Sequence, residues 1–361
     1  MSERILITGA SGFIGSFLCE EGLRRQMSVW AGIRRSSSRK WLQNEWLQMQ
    51  ILDLTDRDVL KQQLESFRKK YGKWDYVIHA AGATKCLRPE DFDRNNYDCT
   101  VNLVEALRDL DMVPRLFVYV SSLSVLGPIK EQLVEKKERK TLELRAQSFQ
   151  QYEDLLPTDT PEPNTAYGHS KVRSEQYLSE QTDFPYVIFR PTGVYGPRER
   201  DYFLMAKSIK QHVDFAVGYK PQEITFVYVR DLVAAIYAAI DREQQGEVER
   251  VLHETFHVSD GEVYASRAFS DYIQQFLGVK HVLHVKAPLW FLRAVCGVSE
   301  FFSKLAKKTT TLNGDKYKIM SQRNWNCDIT PLKERLDFEP QWKLERGTKE
   351  TMEWYKKEGW L

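Results

Sequence analysis

The chain opens on a short apolar run, Ile5-Leu6-Ile7, with no polar residue between its members. Such a run is what a strand buried on both faces shows. Ser16 to Arg25 then reads as a helix, Ser28 to Ile33 as a second strand, Leu47 to Leu52 as a third and Trp74 to His79 as a fourth. Asp56 to Lys70 and Asn95 to Leu110 carry helical spacing. Leu116 to Val120 and Pro185 to Phe189 add two more strands, the second preceded by a helix from Tyr167 through Glu180. Strand and helix alternate up to about Gly196, which predicts an α/β fold with a doubly wound parallel sheet. Beyond Gly196 the pattern is less regular. Phe226 to Val229 and Thr255 to Val258 read as strands, Asp231 to Ile240 as a buried helix, and Ser259-Asp260-Gly261-Glu262 as a helix start. Pro288 to Lys308 is an apolar helix with a basic end, and Gly347 to Lys357 is the final helix.

Composition narrows the class only slightly. The 361 residues are 42% hydrophobic, ordinary for a soluble globular chain. Lys plus Arg (52) against Asp plus Glu (50) gives a net charge of +2, so no global field draws in nucleic acid or an anionic membrane. Cys19, Cys86, Cys99, Cys296 and Cys327 are scattered without a Cys-x-x-Cys pair, as reduced thiols of a cytoplasmic protein would be. No signal peptide is expected, because the chain starts as a strand, and no apolar run approaches bilayer length. His253/His257 and His281/His284 have ligand-like spacings without Cys or carboxylate partners in a recognisable array, so no metal is expected.

Three glycines follow the first strand, in Thr8-Gly9-Ala10-Ser11-Gly12-Phe13-Ile14-Gly15. The spacing is Gly-x-x-Gly-x-x-Gly, not the commoner Gly-x-Gly-x-x-Gly. A plain strand-turn-helix also tolerates it, but its place between the first strand and first helix points to a dinucleotide site. Gly9 serves the tight turn, Gly12 the close approach of a pyrophosphate, and Gly15 the packing of helix on sheet. With Ser11, Phe13 and Ile14 they offer a helix N-terminus to the phosphates.

In this architecture the end of the second strand meets the adenosine ribose. An acid there binds the 2′-hydroxyl; an arginine accommodates a 2′-phosphate. No acid is present, and Arg34, Arg35, Arg39 and Lys40 crowd the position with three serines. The reading is NADP as preferred cofactor, with Arg34 as the 2′-phosphate contact and NAD as the alternative. A basic surface loop would have the same composition. Asp53 can accept from the adenine amino group and Leu54 can cover the ring. Ala80 and Ala81, in Ala80-Ala81-Gly82-Ala83, leave room for the cofactor backbone, and His79 before them reads as structural.

Tyr167 and Lys171 stand four apart on a predicted helix and leave the same face. A phenol with a pKa of ~10 is a poor acid–base catalyst at neutral pH. A nearby ammonium favours the phenolate and is expected to pull its pKa down. The same ammonium can hold the nicotinamide ribose. Ser122, at a strand end, can donate to a substrate oxygen. Together these groups pass a proton to or from a carbonyl or alcohol while nicotinamide gives or takes a hydride.

Over nearly its whole length the chain resembles the extended short-chain dehydrogenases/reductases, the NAD-dependent epimerase/dehydratase superfamily. Thr8 to Gly15, Asp53, His79-Ala80-Ala81-Gly82, Asn96, Ser121-Ser122, Tyr167 with Lys171, and Arg190 to Pro197 carry the resemblance. Leu336-Asp337-Phe338-Glu339-Pro340 and Trp354-Tyr355 are similar to its closing segment. The resemblance implies Tyr167 as acid–base, Lys171 as its activator and ribose clamp, and Ser122, chosen over Ser121 by counting back from Gly127, as the substrate-orienting hydroxyl. It implies Pro191 and Thr192 beside the nicotinamide, and a homodimer through the helices that hold Asn102 and Glu175. The expected organisation is a Rossmann-like dinucleotide-binding domain over 1–196, with a charged insertion at about 128–164. A smaller substrate-binding lobe covers 197–361, with 226–258 returning to the first domain.

Departures from the family pattern bear on substrate. Sugar-nucleotide epimerases carry an arginine that grips a substrate phosphate in the segment that is Gln222-Glu223-Ile224 here. Ile224 cannot hold a phosphate and Glu223 would repel one, leaving Arg198 or Arg200 as candidate substitutes. The Arg34-Arg35 cluster is more similar to NADPH reductases of the dihydroflavonol-reductase and 3β-hydroxysteroid-dehydrogenase type. The stretch from Ser122 to Tyr167 is longer than usual by roughly a helix and a turn. Its Glu131 to Arg145 part is expected as an exposed helix, by default surface decoration, with a lid or an interface as alternatives.

The leading expectation is an NADP-preferring oxidoreductase acting on a secondary alcohol or ketone of a fairly hydrophobic small molecule. Trp290, Phe291, Phe301 and Phe302 are candidate pocket or lid residues, with helix packing the plainer role. A sugar-nucleotide epimerase or dehydratase with tightly bound NAD is the alternative. A non-enzymatic dinucleotide sensor is a third reading, disfavoured by the intact Tyr167–Lys171 pair. The helix from Pro288, ending in Lys304, Lys307 and Lys308, suits a membrane surface or a pocket cover, and the pocket cover is preferred.

Overall fold

The early apolar runs become strands of one sheet. In chain order they are β1 (Arg4–Thr8), β2 (Ser28–Ile33), β3 (Gln48–Ile51), β4 (Tyr76–His79) and β5 (Leu116–Val120). Between them run α1 (Phe13–Arg24), α2 (Arg57–Tyr71), the single turn α3 (Glu90–Phe92), a π-helical segment (Asp93–Tyr97) and α4 (Asp98–Asp109). After an insertion holding β6 (Lys137–Arg139) and β7 (Ser148–Gln150) come α5 (Ala166–Ser179), β8 (Tyr186–Pro191) and β9 (Gly193–Tyr195). Next are α6 (Asp201–Lys210), β10 (Val213–Val217), β11 (Glu223–Ile224), β12 (Phe226–Tyr228), α7 (Val229–Gln244) and β13 (Thr255–Val258). The chain closes with β14 (Tyr264–Ala265), α8 (Ala268–Leu277), β15 (Leu283–Ala287), α9 (Leu289–Ala306), α10 (Gly314–Ser321), α11 (Thr330–Leu336) and α12 (Leu344–Lys357). This computed structural model describes residues 2–134, 137–139, 148–150, 152–306 and 313–361, with the side chains of 137–139, 148–150 and 301–306 outside that description.

Seven strands form a parallel sheet in the order β13-β8-β5-β4-β1-β2-β3. The order reverses at β1, between β4 and β2, and that switch point opens the crevice where ligands of such sheets bind. Side chains alternate between faces along each strand. Ile5, Ile7, Val29 and Ile78 pack with Leu18 of α1 and Ile236 of α7 on one face. Leu6, Trp30, Val77 and Phe117 pack with Leu64 of α2 and Leu103 of α4 on the other. Both faces are covered, so the inner strands β1, β4 and β5 are apolar at successive positions, whereas the edge strands β3 and β13 alternate. A fully buried leucine such as Leu6 contributes about 1.5–3 kcal/mol. Beyond β9 a second core gathers Tyr195, Phe226, Tyr228, Phe269, Ile273 and Tyr355. Among the described residues no helix is long and apolar enough to cross a membrane.

Two local expectations fail. Lys137–Arg139 pairs antiparallel with Ser148–Gln150, and 131–134 is not helical either. The rest of the stretch expected as a helix, 135–136 and 140–145, lies outside the described residues. A charged segment without an apolar stripe has no face for packing to fix, and helix propensity alone is marginal at this length. Ser259-Asp260-Gly261-Glu262 is a turn rather than a helix start. Asp260 accepts from the Glu262 amide (3.0 Å) and from the Tyr264 hydroxyl (2.6 Å), and the next helix begins only at Ala268.

Candidate active site

A cavity of about 1320 Å³ runs along the C-terminal ends of β1, β2, β4 and β5 and on into the second core. Gly9, Ser11, Gly12, Phe13, Ile14 and Gly15 line it at one point of the wall. Gly9 has φ +69°, and a Cβ there would lie 2.7 Å from both the Ala80 carbonyl oxygen and the Ala81 amide nitrogen. A Cβ on Gly15 would lie 2.2 Å from the Gly9 carbonyl oxygen. The glycines are therefore required by the contact of α1 with the ends of β1 and β4. Gly12 caps α1 without a side-chain hydrogen bond, which leaves the helix's positive end for an anion. A cradle that only glycines fit, at a helix N-terminus on the switch point, suits the pyrophosphate of a dinucleotide.

From the cradle the wall passes in one direction to Ile33, Arg34, Ser37, Asp53, Leu54 and Cys99. Arg34 is exposed, and its amide is held by the Ser37 hydroxyl (3.1 Å) in a turn at the end of β2. Asp53 accepts from the Thr55 hydroxyl (2.7 Å) and amide (3.1 Å), which fixes its carboxylate at the rim.

In the other direction the wall holds Ala80, Ala81, Ser122, Tyr167, Pro191 and Thr192. Thr165 caps α5 by accepting from the Gly168 amide (2.9 Å), placing Tyr167 in the first helical turn. Ser121 and Ser122 point to different tasks. Ser121 donates to buried Glu175 (2.5 Å), which is paired with Arg190 (2.7 Å). Ser122 stands on the same wall as Tyr167 and shares a 3.0 Å contact with the Ser124 hydroxyl. Burial pushes the Tyr167 phenol up to about 12, and the nearby Ser122 hydroxyl only partly opposes it.

Lys171 does not do what four-residue spacing suggests. Its ammonium donates to the Val120 carbonyl (2.8 Å) and stands 4.7 Å from the centre of the Tyr119 ring. It is buried behind the cavity wall rather than on it. Burial pulls it down to about 8, against the pull of Glu175 in the other direction. The expected depression of the tyrosine is thus absent, because loss of hydration on burial dominates.

His79 is fully buried between Thr8 (2.7 Å) and Thr100 (3.1 Å), and burial, with the Lys171 charge, lowers it to about 3. It is neutral and structural. His257 is likewise buried, contacts the Leu155 carbonyl (3.2 Å) and is lowered to about 3, chiefly by burial. Among the described residues no three metal-binding side chains converge.

Sequence reasoning passed over two groups. Asn96, noted only as part of a resemblance, lies in the π-helical segment. Its side chain accepts from the Ala83 amide (2.7 Å) and donates to the Ser170 hydroxyl (2.8 Å), tying the loop after β4 to the helix that carries Tyr167 and Lys171. The far end of the cavity is formed by Glu199, Asp201, Tyr202, Leu204, Met205, Phe215, Lys316 and Met320. Asp201 there pairs with Lys85 (2.5 Å) and lies 4.0 Å from Lys316. No motif announces these residues, because they come from three separated segments.

The candidate phosphate grips lie elsewhere. Arg198 is bound to Ser16 (2.9 Å) and Glu20 (2.5 Å) on α1, and neither it nor Arg200 lines the cavity. Gln222 and Ile224 do not line it either, and Glu223 is buried. Trp290 and Phe291, candidate pocket residues, are exposed on α9 and do not reach the wall. The side chains of Phe301, Phe302 and Lys304, and all of Lys307 and Lys308, lie outside the described residues. Asn102 donates to the Leu54 carbonyl (3.0 Å), so neither it nor Glu175 is a free surface group.

The comparisons with known proteins agree with this geometry. The chain is 24% identical to a UDP-N-acetyl-alpha-D-glucosaminuronate decarboxylase of Bacillus cytotoxicus, over 99% of this chain and 98% of the relative. It is 21% identical to the decarboxylating sterol-4-alpha-carboxylate 3-dehydrogenase of Saccharomyces cerevisiae, over 98% of this chain and 97% of the relative. Its fold matches that of dTDP-glucose 4,6-dehydratase from Bacillus anthracis, solved in complex with NAD, with a TM-score of 0.71, 18% identity and coverage of 99% and 98%. The model of the NAD dependent epimerase/dehydratase family matches residues 5–253, and the chain belongs to that family of NAD-dependent enzymes.

Proposed function

We propose that the chain is an oxidoreductase that moves hydride between NADP(H), in preference to NAD(H), and a secondary alcohol or ketone of a largely apolar small molecule. The observation that carries this reading is the meeting of Ser122 and Tyr167 on the same cavity wall as the glycine cradle. When bound, nicotinamide supplies or accepts the hydride. Gly9, Gly12 and Gly15 hold its pyrophosphate, Asp53 and Leu54 the adenine, and Arg34 with Ser37 a 2′-phosphate. Pro191, Thr192, Ala80 and Ala81 shape the nicotinamide end. Ser122 orients the substrate oxygen. Tyr167, pushed up to about 12 by burial, keeps its proton at neutral pH and can donate it to a carbonyl oxygen. Lys171, still cationic below about pH 8, has to swing its ammonium from the Val120 carbonyl onto the wall to hold the ribose hydroxyls, and it favours the phenolate once the proton has left.

Leu204, Met205, Phe215 and Met320 support an apolar substrate, as does the yeast relative, whose name specifies a sterol. The second reading is sugar-nucleotide chemistry, which the Bacillus cytotoxicus relative's name favours. Against it, Arg34 is the single arginine among the described residues lining the cavity, and it stands at the adenosine end. The protein acts as a cytoplasmic homodimer through α4 and α5, and sedimentation velocity showing only monomer would contradict that assembly. For the reaction itself, Tyr167→Phe should lower NADPH oxidation on a ketone panel by about 10²–10⁴-fold while NADPH binding persists. Undiminished turnover, or conversion of sugar nucleotides with no net NADPH consumed, would overturn the reading.

A further inference from the structure

The sheet of β10 and β15 carries its polarity the wrong way round. Parallel pairing sets Val213 beside Leu283 and Phe215 beside Val285, so these four side chains share one face. Asp214 and His284 share the other. On that face Asp214 is buried and paired with Arg267 (3.2 Å), whereas His284 is 43% exposed. The apolar face looks outward, with Phe215 62% and Leu283 66% exposed. On α9, which follows directly, Trp290, Ala294, Gly297 and Val298 are exposed along one side, with Phe291 at its edge, while Leu292 and Cys296 are buried on the opposite side.

We propose that this outward apolar face of β10, β15 and α9 docks on an anionic lipid surface. Three observations select a membrane. The stretch from Tyr272 to Ser299 holds Lys280, Lys286 and Arg293 and not one Asp or Glu, although the whole chain is nearly neutral. Cations beside exposed aromatic residues are the pattern of a segment lying in the headgroup region. Among the described residues α9 is not long and apolar enough to cross, and its exposed side, Trp290, Arg293, Ala294, Gly297 and Val298, joins aromatic, apolar and basic residues as a helix lying along a lipid surface does. Finally, Val213 and Phe215 belong both to the outward face and to the cavity wall. The apolar surface is therefore continuous with the interior, and a molecule dissolved in lipid has a route to the cavity without crossing water.

The test is sedimentation of the full chain with phosphatidylcholine vesicles and with vesicles in which about a third of the lipid is phosphatidylserine. It needs no turnover, so it stands or falls apart from the reaction assigned above. Partition onto the anionic vesicles should exceed that onto neutral ones by at least about tenfold. Leu283→Glu and Trp290→Glu should each cut it about tenfold with an unchanged thermal melt, because both side chains are exposed. Lys280→Glu with Arg293→Glu, both exposed, should abolish the preference for anionic lipid while leaving the apolar face intact. Four results would overturn the proposal: no partition onto either vesicle, equal partition onto both, variants that bind as the parent does, or variants that only dissolve a self-associated species in size exclusion. The last would assign the face to a second copy of the chain.

Discussion

The two halves of the cavity are built by different means. The cofactor half is local. Thr8 to Gly15 form one continuous strand-turn-helix, and its packing leaves no room for a Cβ at Gly9 or Gly15. The substrate half is assembled from α6, β10 and α10, with Glu199, Asp201, Tyr202, Phe215, Lys316 and Met320 brought together from over a hundred positions apart. Backbone contact governs the first half, whereas side-chain choice on loosely constrained elements governs the second. The first half should therefore tolerate almost no change and the second a good deal.

Gly15→Ala is the most severe way to break that contrast. The new Cβ would meet the Gly9 carbonyl at 2.2 Å, so α1 must move off the sheet. A loss of about 3 kcal/mol of stability in denaturant unfolding is expected, together with loss of dinucleotide binding. Normal NADPH binding by this variant would show that the cradle is not set by backbone contact.

Lys171→Met separates chemistry from fold. Burial holds the Lys171 ammonium at about 8, below its ordinary 10.5. Between those values the folded chain holds fewer protons than the unfolded chain, so stability from this group is present above about 10.5 and lost as pH falls through about 8. The variant should melt higher than the parent at pH 7, with the gain shrinking toward pH 10, while turnover falls about 10²-fold. A lower melt at pH 7 would mean that the hydrogen bond to Val120 outweighs the burden of a buried charge.

Phe215→Ala should have the smallest effect. It changes an exposed residue at the mouth of the substrate half. KM for an apolar ketone should rise by about three- to tenfold, with the dissociation constant for NADPH unchanged. A matching loss of cofactor affinity would join the two halves into one unit.

The same contrast explains what could be read from the chain. The strands, the cradle, and the positions of Ser122, Tyr167, Pro191 and Thr192 follow from short segments whose neighbours in sequence are neighbours in space. Lys171 did not follow, because four-residue spacing fixes a helix face but not where a flexible ammonium points. The insertion was misread as helix because its charges leave packing no stripe to fix. Asn96 left no distinct signal, because it is the one buried residue in Asp93–Tyr97, a run of mostly polar side chains. The far wall of the cavity left none, since nothing in 199–215 marks it as a partner of 316–320.

Titration of the purified chain with NADPH and with NADH, followed by nicotinamide fluorescence, tests the central claim most directly. Binding of NADPH at least about tenfold tighter is expected, with Arg34→Ala erasing the difference and leaving NADH unaffected. Equal affinities that Arg34→Ala does not separate, or protein that arrives already carrying NAD, would contradict it and move sugar-nucleotide chemistry to first place.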